Sequence, residues 1–465
     1  MRTDGSPPLY FLLVQAVTGV FGSSEIALRL VSIAAATALV PACYAVARVF
    51  ATRRTALVAA ALAVVSPLVH FYAIEARNYA LVQLETVAIV YVALRALAAA
   101  DRWRWWILLA LAETIQLWTH GHAVFVVGAT PLVFLLVASR DRIRVAMYAA
   151  AASALAVVLA LPALIGAWRY SAVGVADWIV GYWKQTPPAA AVLRSLEVFG
   201  FGGLYPSYLS WLGQVPSIRP LSVALTALLM IAAVAPMAMR TRRRSARAVA
   251  TNALLAFLLL PLLAAWLYSS LRQPVYFVGR YDTIVLPAFL ILAAMGLDEL
   301  LRLRWWIGAS ACVTVLALSS LSFVVVERIA VFPNEEDRRA AEHIAREAQP
   351  SDPIVTTGLR RAVFAYYLDR AAHSSALTSF PPEVAEHPGW YSAERMLTDR
   401  ASLAQDGERV AADLISRARQ GSRVWILASG PNEVDAYLYR TLLTALVLDR
   451  PASREDLQVL CLKHP

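Results

Sequence analysis

Apolar residues in this chain come in long runs separated by short polar clusters, a pattern of membrane spans rather than of a layered soluble core. A hydrocarbon core about 30 Å thick takes about 20 residues per helix. Ten runs near that length stand out: Ile26–Ala47, Thr55–Phe71, Tyr79–Leu97, Trp103–Trp118, Ala123–Ala138, Val145–Ala167, Leu221–Met239, Ala250–Leu271, Thr283–Leu301 and Trp305–Val326. The fourth and fifth are the shortest. Upstream of them, the stretch from Pro7 to Phe21 is too short to span. It predicts an amphipathic helix in the interface, with Pro7 and Pro8 in the first turn, where a missing amide donor does no harm.

The polar clusters between the runs are almost wholly arginine. Arg48/Arg53/Arg54, Arg95/Arg102/Arg104, Arg140/Arg142/Arg144, Arg240/Arg242/Arg243/Arg244/Arg247 and Arg302/Arg304 fall between alternate pairs of runs, so one orientation puts all five in the cytoplasm. The other connections are then expected outside. They are the stretch around Glu75-Ala-Arg77, Thr119-His-Gly-His122, a long loop over 168–220, Gln273 to Asp282, and everything after Val326.

From Val331 the pattern changes. Asn334–Ala348 reads as a capped helix with acids in its first turn, followed by a strand at Pro353–Thr357 and a helix at Ala362–Leu368. A helix at Gly407–Gln420, a strand at Arg423–Ala428, a long helix at Asn432–Leu448 and a last strand at Leu457–Leu462 complete it. Alternating strands and helices predict a small α/β domain. No glycine-rich phosphate loop follows any strand, so nucleotide binding is not expected there. The expected organisation is a short external segment with the interfacial helix over 1–24, a membrane domain over 25–327 with about ten spans, and an extracytoplasmic α/β domain over 328–465. The fold class is thus a polytopic α-helical membrane protein with a C-terminal α/β domain.

Composition agrees: 465 residues, 59% hydrophobic and 16% charged, with a mean hydropathy of +0.58. The net charge of +10 invites a nucleic-acid reading, but the arginines sit in short clusters between apolar runs and form no continuous basic face. Cys43 and Cys312 lie inside apolar runs and Cys461 near the end, which implies no disulfide framework or metal motif.

Candidate chemistry gathers in the external connections. The stretch Ser66-Pro-Leu-Val-His-Phe-Tyr-Ala-Ile-Glu-Ala-Arg-Asn-Tyr79 sets a carboxylate and a guanidinium between two apolar runs. A charge at the bilayer centre costs about 2.5–3.5 kcal/mol even on the mildest scale, so Glu75 and Arg77 belong at a face or in a wet cavity. Tyr79, His120, Trp178, Trp183, Lys184, Arg280 and Tyr281 fall on the same expected side. Acids, cations and aromatics gathered there suit an anionic, partly lipidic substrate. Guanidinium forks match phosphate oxygens, aromatic faces stack on sugars, and carboxylate or imidazole accepts a hydroxyl proton. His120 and His122 are spaced i,i+2 and would not share a helix face, so a metal site is a weak signal; neither a metal nor another cofactor is expected. A transporter would show internal repeats and broken helices with charges at mid-membrane, and neither is legible.

Pro7-Pro-Leu-Tyr-Phe, Gly22-Ser-Ser-Glu-Ile-Ala-Leu-Arg29, Ser66-Pro with Glu75-Ala-Arg-Asn-Tyr79, Thr119-His120, and Gly279-Arg-Tyr before an apolar span, in this order, resemble the GT-C glycosyltransferases. The resemblance is greatest to the bacterial dolichyl-phosphate-mannose–protein mannosyltransferase-like family 39, and runs through the whole chain. It implies a polyprenyl-phosphate-linked sugar as donor, a glycan, lipid or protein hydroxyl as acceptor, and inverting transfer at the outer face of the plasma membrane. It also implies roles. Arg280, with Arg77 and Tyr281, would bind the donor phosphate; Tyr79, His120, Trp178, Trp183 and Lys184 would bind sugar or acceptor. The family's general-base aspartate follows a first span upstream of the Pro-Pro-Leu-Tyr helix, so the chain is expected to be N-terminally short. Asp4 and Glu75 are then its candidate catalytic acids. The other reading is a non-catalytic accessory paralogue.

Overall fold

A computed structural model describes residues 7–138, 141–171, 183, 190–200, 218–238, 245–330, 332–373, 375–385, 399–427, 433–450 and 459–465. The chain divides into two compact units, one within residues 5–327 and one built on 328–465.

The first unit is helical. Helix α1 (Leu9–Phe21) ends at Gly22, whose φ of 74° lies in the left-handed region. Helix α2 (Glu25–Arg48) starts at Ser24, whose hydroxyl accepts from the Ala27 amide at 3.2 Å. Helix α3 (Arg53–Val65) starts in the same way at Thr52. The run Thr55–Phe71 is not one straight span: Ser66 is extended before Pro67, and the chain turns by 52° into α4 (Pro67–Ile74). Proline crowds the residue before it out of the helical region, which is why the break falls at Ser66. Next come α5 (Tyr79–Ala98), α6 (Trp103–Thr119), α7 (Ala123–Val137) and α8 (Arg142–Ser171).

Beyond α8, helices cover Ala191–Phe199, Ile218–Val234, Ala246–Leu271, Leu286–Leu303 and Trp305–Ala330. Among the described residues seven helices are long and apolar enough to cross a membrane, and the bent pair α3–α4 makes an eighth. The expected fourth and fifth spans, α6 and α7, form but have only 17 and 15 residues, about 25 and 22 Å of rise. Each is shorter than a typical hydrocarbon core.

The Leu286–Leu303 helix is the axis of this unit, with every residue from Leu286 to Leu300 buried. Gly296 packs against the Ile218–Val234 helix so closely that a Cβ there would lie 1.9 Å from the Leu229 carbonyl oxygen. At its C-terminal end, buried Asp298 takes Arg54 Nε at 2.5 Å, Arg302 at 2.8 Å and the Thr55 hydroxyl at 2.9 Å; Glu299 takes Arg247 at 3.2 Å. Three arginines from separate sequence clusters thus meet at one end of the bundle. The opposite end of the same helix, about 24 Å away along the axis, carries Tyr281 and Asp282.

The second unit holds a five-stranded sheet in the order β2-β1-β3-β5-β4. Strands β1 (Ile354–Thr357), β2 (Leu377–Phe380) and β3 (Val424–Leu427) are mutually parallel; β5 (Val459–Lys463) runs antiparallel to β3 and to β4 (Val447–Arg450). Helices Phe332–Glu347, Arg361–Arg370, Arg400–Arg419 and Glu433–Ala445 alternate with the strands. Side chains alternate across the sheet. Val355, Val424, Ile426 and Leu462 face one core with Leu414 and Leu438, while Ile354, Trp425, Leu427 and Cys461 face another with Ile344 and Phe364. The expected long helix Asn432–Leu448 instead stops at Ala445, and Val447–Arg450 pairs as β4. Strand β2, absent from the sequence reading, fills the other edge.

Candidate functional site

The site is built where α4 ends, α5 begins, the α6–α7 turn comes up and the segment before the Leu286–Leu303 helix crosses. Glu75 leaves α4 in an extended conformation, and the Arg77 amide donates back to its carbonyl at 2.8 Å. This tight turn sets Glu75 half-buried, Arg77 exposed and Asn78 buried. It is held from outside by α2: the Ser32 hydroxyl donates to the Arg77 carbonyl at 3.0 Å. Ser32 spends its one proton there, so Tyr10 of α1 must be the donor in their 2.9 Å contact.

Gly279, at φ 75°, makes the corner that brings the Arg280 segment in, and its carbonyl accepts from the Tyr72 hydroxyl of α4. Arg280 Nε donates to the Tyr79 hydroxyl at 2.6 Å, and its guanidinium lies 5.6 Å from the Tyr79 ring centre and 5.7 Å from that of Tyr281. Such stacking fixes the plane of the guanidinium. Two guanidiniums, Arg280 and Arg77, act on the Glu75 carboxylate through space, yet Glu75 forms no ion pair among the described residues. Its Oε2 is buried without a hydrogen-bond partner. Burial raises the Glu75 pKa above the ordinary carboxylate value, with Arg280 and Arg77 opposing.

His120 and His122 complete the wall. His120 Nδ1 accepts from the His122 amide at 3.0 Å, so the neutral ring carries its proton on Nε2. The His122 Nε2 proton goes to the Val275 carbonyl at 2.8 Å. The His120 ring lies 5.7 Å from Tyr79 and 5.5 Å from Tyr281, and His122 stacks on Tyr281 at 4.6 Å. Burial drives both imidazole pKa values down, that of His120 well below its ordinary value with help from His122 and Arg280, and that of His122 to about 4. One nitrogen of each ring is thus committed to the backbone, and no group of three or more His, Cys, Asp or Glu side chains placed to hold a metal occurs among the described residues.

Glu75, Arg77, Tyr79, His120, Arg280 and Tyr281 therefore share one site. Trp183 does not join them: it is buried against Tyr276 at 6.1 Å, one step removed. Its partner ring belongs to a small pocket walled by Phe125, Pro261, Leu262, Ala265, Phe277 and Ile284, with His122, Tyr276, Tyr281 and Asp282 as its polar members. Asp4, Trp178 and Lys184 lie outside the described residues.

Sequence reasoning gave no role to three residues that frame the site. Asp282 is buried next to Ser195 and the backbone at Gly279 and Arg280. Glu85 accepts from Thr119 at 2.6 Å, and the Asn78 amide donates to the Thr119 carbonyl at 2.6 Å, which ties the α6–α7 turn to α5. Glu85 sits mid-run in the third apolar stretch, where an acid is the one available signal.

Residues 5–166 match the profile of the family described as dolichyl-phosphate-mannose-protein mannosyltransferase. Among solved structures, ArnT from Cupriavidus metallidurans bound to undecaprenyl phosphate aligns with a TM-score of 0.58 at 14% identity, covering 98% of this chain and 87% of that one. Its apo form gives 0.59 at the same identity and coverage. The oligosaccharyltransferase AglB from Archaeoglobus fulgidus, in complex with an inhibitory peptide and a dolichol-phosphate, gives 0.48 at 13% identity over 80% of this chain and 56% of that one. No curated protein sequence matches. The chain is a multi-pass membrane protein with the fold of the GT-C glycosyltransferases, and its N-terminal third carries the mannosyltransferase family match.

Proposed function

We propose that this chain is a glycosyltransferase that moves a hexose or pentose from a polyprenyl-phosphate carrier to a hydroxyl of a glycan, lipid or protein, with inversion. The observation that carries the reading is the relation of Glu75 to Arg280. A carboxylate with a buried, unpaired oxygen lies in the field of a guanidinium that is itself locked onto two tyrosines. The Glu75 oxygen without a hydrogen-bond partner is left to accept a proton from substrate.

In this reading Arg280, with Arg77 and Tyr281, takes the phosphate of the donor, beside an apolar wall that includes Phe125, Leu262 and Ile284. Tyr79 and His120 face the sugar. Glu75 accepts the proton of the acceptor hydroxyl as its oxygen bonds to the anomeric carbon. The carbon–oxygen bond to phosphate breaks on the opposite face and leaves its electron pair on the polyprenyl phosphate. Arg280 stabilises the charge that develops there. A base with a raised pKa is better matched to this work at neutral pH than an ordinary carboxylate.

The reaction belongs on the extracytoplasmic face of the plasma membrane. Arg54, Arg247 and Arg302, gathered around Asp298 and Glu299 at the far end of the bundle, fit the cytoplasmic side. The unit built on 328–465 is then outside, and a C-terminal alkaline phosphatase fusion is expected to be active. The function itself is tested by incubating membranes with a panel of radiolabelled undecaprenyl-phosphate sugars. Wild type is expected to consume one of them and Glu75→Gln none; equal turnover by the variant defeats the reading.

A further inference from the structure

The end of the bundle away from the site holds a second cluster that this function does not use. Trp105, in the first turn of α6, has two guanidiniums stacked on it: Arg95, from the last turn of α5, with its carbon 5.1 Å from the ring centre, and Arg104 at 4.9 Å. Neither arginine has a carboxylate partner among the described residues. Each guanidinium carries five N–H donors in a fixed fork and accepts nothing, so stacking sets its plane without satisfying its edge. Arg144, at the start of α8, stands beside them: it donates to the Tyr148 hydroxyl at 2.9 Å, and the Tyr148 ring meets Trp106 at 5.6 Å. Against these cations the local acids are Asp101 and Asp141.

Below the cluster, α6 turns an apolar ridge outward. Trp103, Ile107, Leu111 and Ile115 recur at i, i+4, i+8 and i+12 and are 71%, 45%, 47% and 47% exposed. They make a strip about 18 Å long, the depth of one leaflet. Because α6 rises only about 25 Å, its arginines are drawn to or below the level of lipid phosphates, where a short helix makes headgroups come to it.

We propose that Arg95, Arg104 and Trp105 form a binding site for the phosphodiester headgroup of an anionic phospholipid, with the ridge of α6 receiving an acyl chain. Paired forks on one indole fit the two free oxygens of a phosphodiester, and Arg95 and Arg104, with no carboxylate partner among the described residues, leave their charge to the lipid. The adjoining ridge favours a lipid over a free anion.

The test is native mass spectrometry of the full chain released from micelles that contain equal phosphatidylglycerol and phosphatidylcholine. Wild type is expected to retain phosphatidylglycerol selectively, and Arg95→Ala/Arg104→Ala to lose about thirtyfold of that preference. The charge-matched pair Arg53→Ala/Arg304→Ala is expected to keep it. Arg95→Lys/Arg104→Lys, the milder change should the alanine pair unfold, is expected to fall between, because charge remains while fork and stack are lost. No selectivity in wild type, equal loss in the charge-matched control, full retention by the lysine pair, or displacement by excess inorganic phosphate would each overturn the proposal.

Discussion

Ser32 on α2 donates its hydroxyl proton to the carbonyl of Arg77, 45 positions later, and in doing so fixes the turn that presents Glu75. The bond is one of a pair, since Tyr10 on α1 donates to the same Ser32 oxygen. Tyr10 is 1% and Ser32 0% exposed, so water does not take the place of the Ser32 hydroxyl at Tyr10. Removing the Ser32 hydroxyl takes the partner from a part-buried carbonyl and a buried phenol, at about 1–3 kcal/mol. Ser32→Ala is expected to lower transfer by loosening the Glu75 turn and to lower the unfolding temperature. Ser32→Thr, which keeps the hydroxyl, is expected to do less. Unchanged rate and melting in Ser32→Ala would show that the turn holds itself.

Arg280 is expected to govern donor binding. Arg280→Ala removes the phosphate ligand but also the partner of the Tyr79 hydroxyl, so stability alone does not separate the roles. Arg280→Lys keeps the charge, loses the fork, and is expected to recover part of the donor affinity. Tyr79→Phe removes the 2.6 Å bond but not the charge, and is expected to raise KM by less than Arg280→Ala does. Normal binding of a lipid-linked donor by Arg280→Ala would move the phosphate role to Arg77.

Much of this was legible in the sequence, and the misses share a cause. Apolar run length locates the helices because lipid thickness imposes it locally, and the Ser66-Pro67 break has a local signal too. The ends of the sheet have none: Leu377-Thr-Ser-Phe380 is four residues with no clear alternation, and Val447-Leu-Asp-Arg450 continues an apolar pattern that suits a helix equally well. Both are strands because a neighbour pairs with them. The grouping of Arg280 with Tyr79, 201 positions apart, was expected from topology and family resemblance, whereas Tyr10, Ser32, Asp282 and Glu85 needed the three-dimensional packing. Trp183 was placed by its side of the membrane alone, and packing sends it to Tyr276.

Glu75 is expected to trade stability for function. Its folded-state pKa is raised by burial, so the folded form holds its proton more tightly than the unfolded form does. The ionised group therefore costs stability, a cost that grows as pH rises above the ordinary carboxylate pKa and is complete above the raised one. Glu75→Gln is expected to unfold at a higher temperature than wild type at pH 7 while losing transfer, and the stability gain should shrink toward pH 4. A lower melting temperature at pH 7 would mean that the carboxylate is structural.

His122 works in the opposite direction. Its folded pKa is lowered to about 4, while an unfolded histidine titrates near 6.5. The unfolded chain therefore binds the extra proton between those values, and stability contributed by the neutral ring is lost as pH falls from about 6.5 toward 4. His120, also pushed down by burial, adds to the same slope. His122→Asn is expected to flatten the dependence of melting temperature on pH in that window, and the full slope in the variant would assign it to other groups.

Gly296 gives the sharpest structural prediction, because its cost comes from backbone and not from a side chain that can move aside. A Cβ at this position would sit 1.9 Å from the carbonyl oxygen of Leu229 and 2.7 Å from its carbonyl carbon. The Ile218–Val234 helix must therefore shift by more than 1 Å to admit even alanine, and close packing does not absorb such a shift locally. The Leu286–Leu303 helix that carries Gly296 also carries the site at one end and Asp298 with its three polar partners at the other, so it has no freedom to move instead. Gly296→Ala is expected to cost about 1–3 kcal/mol and Gly296→Val more, with transfer falling in step with folded protein. Gly308 makes the contrast: a Cβ there meets the backbone and the flexible side chain of Leu301, in the last turn of the preceding Leu286–Leu303 helix. Part of that clash is with a side chain that can rotate, so Gly308→Ala is expected to cost less. Thermal unfolding of the two variants in the same detergent checks the order, and an equal or reversed ranking would mean that the helices are not in contact at Gly296.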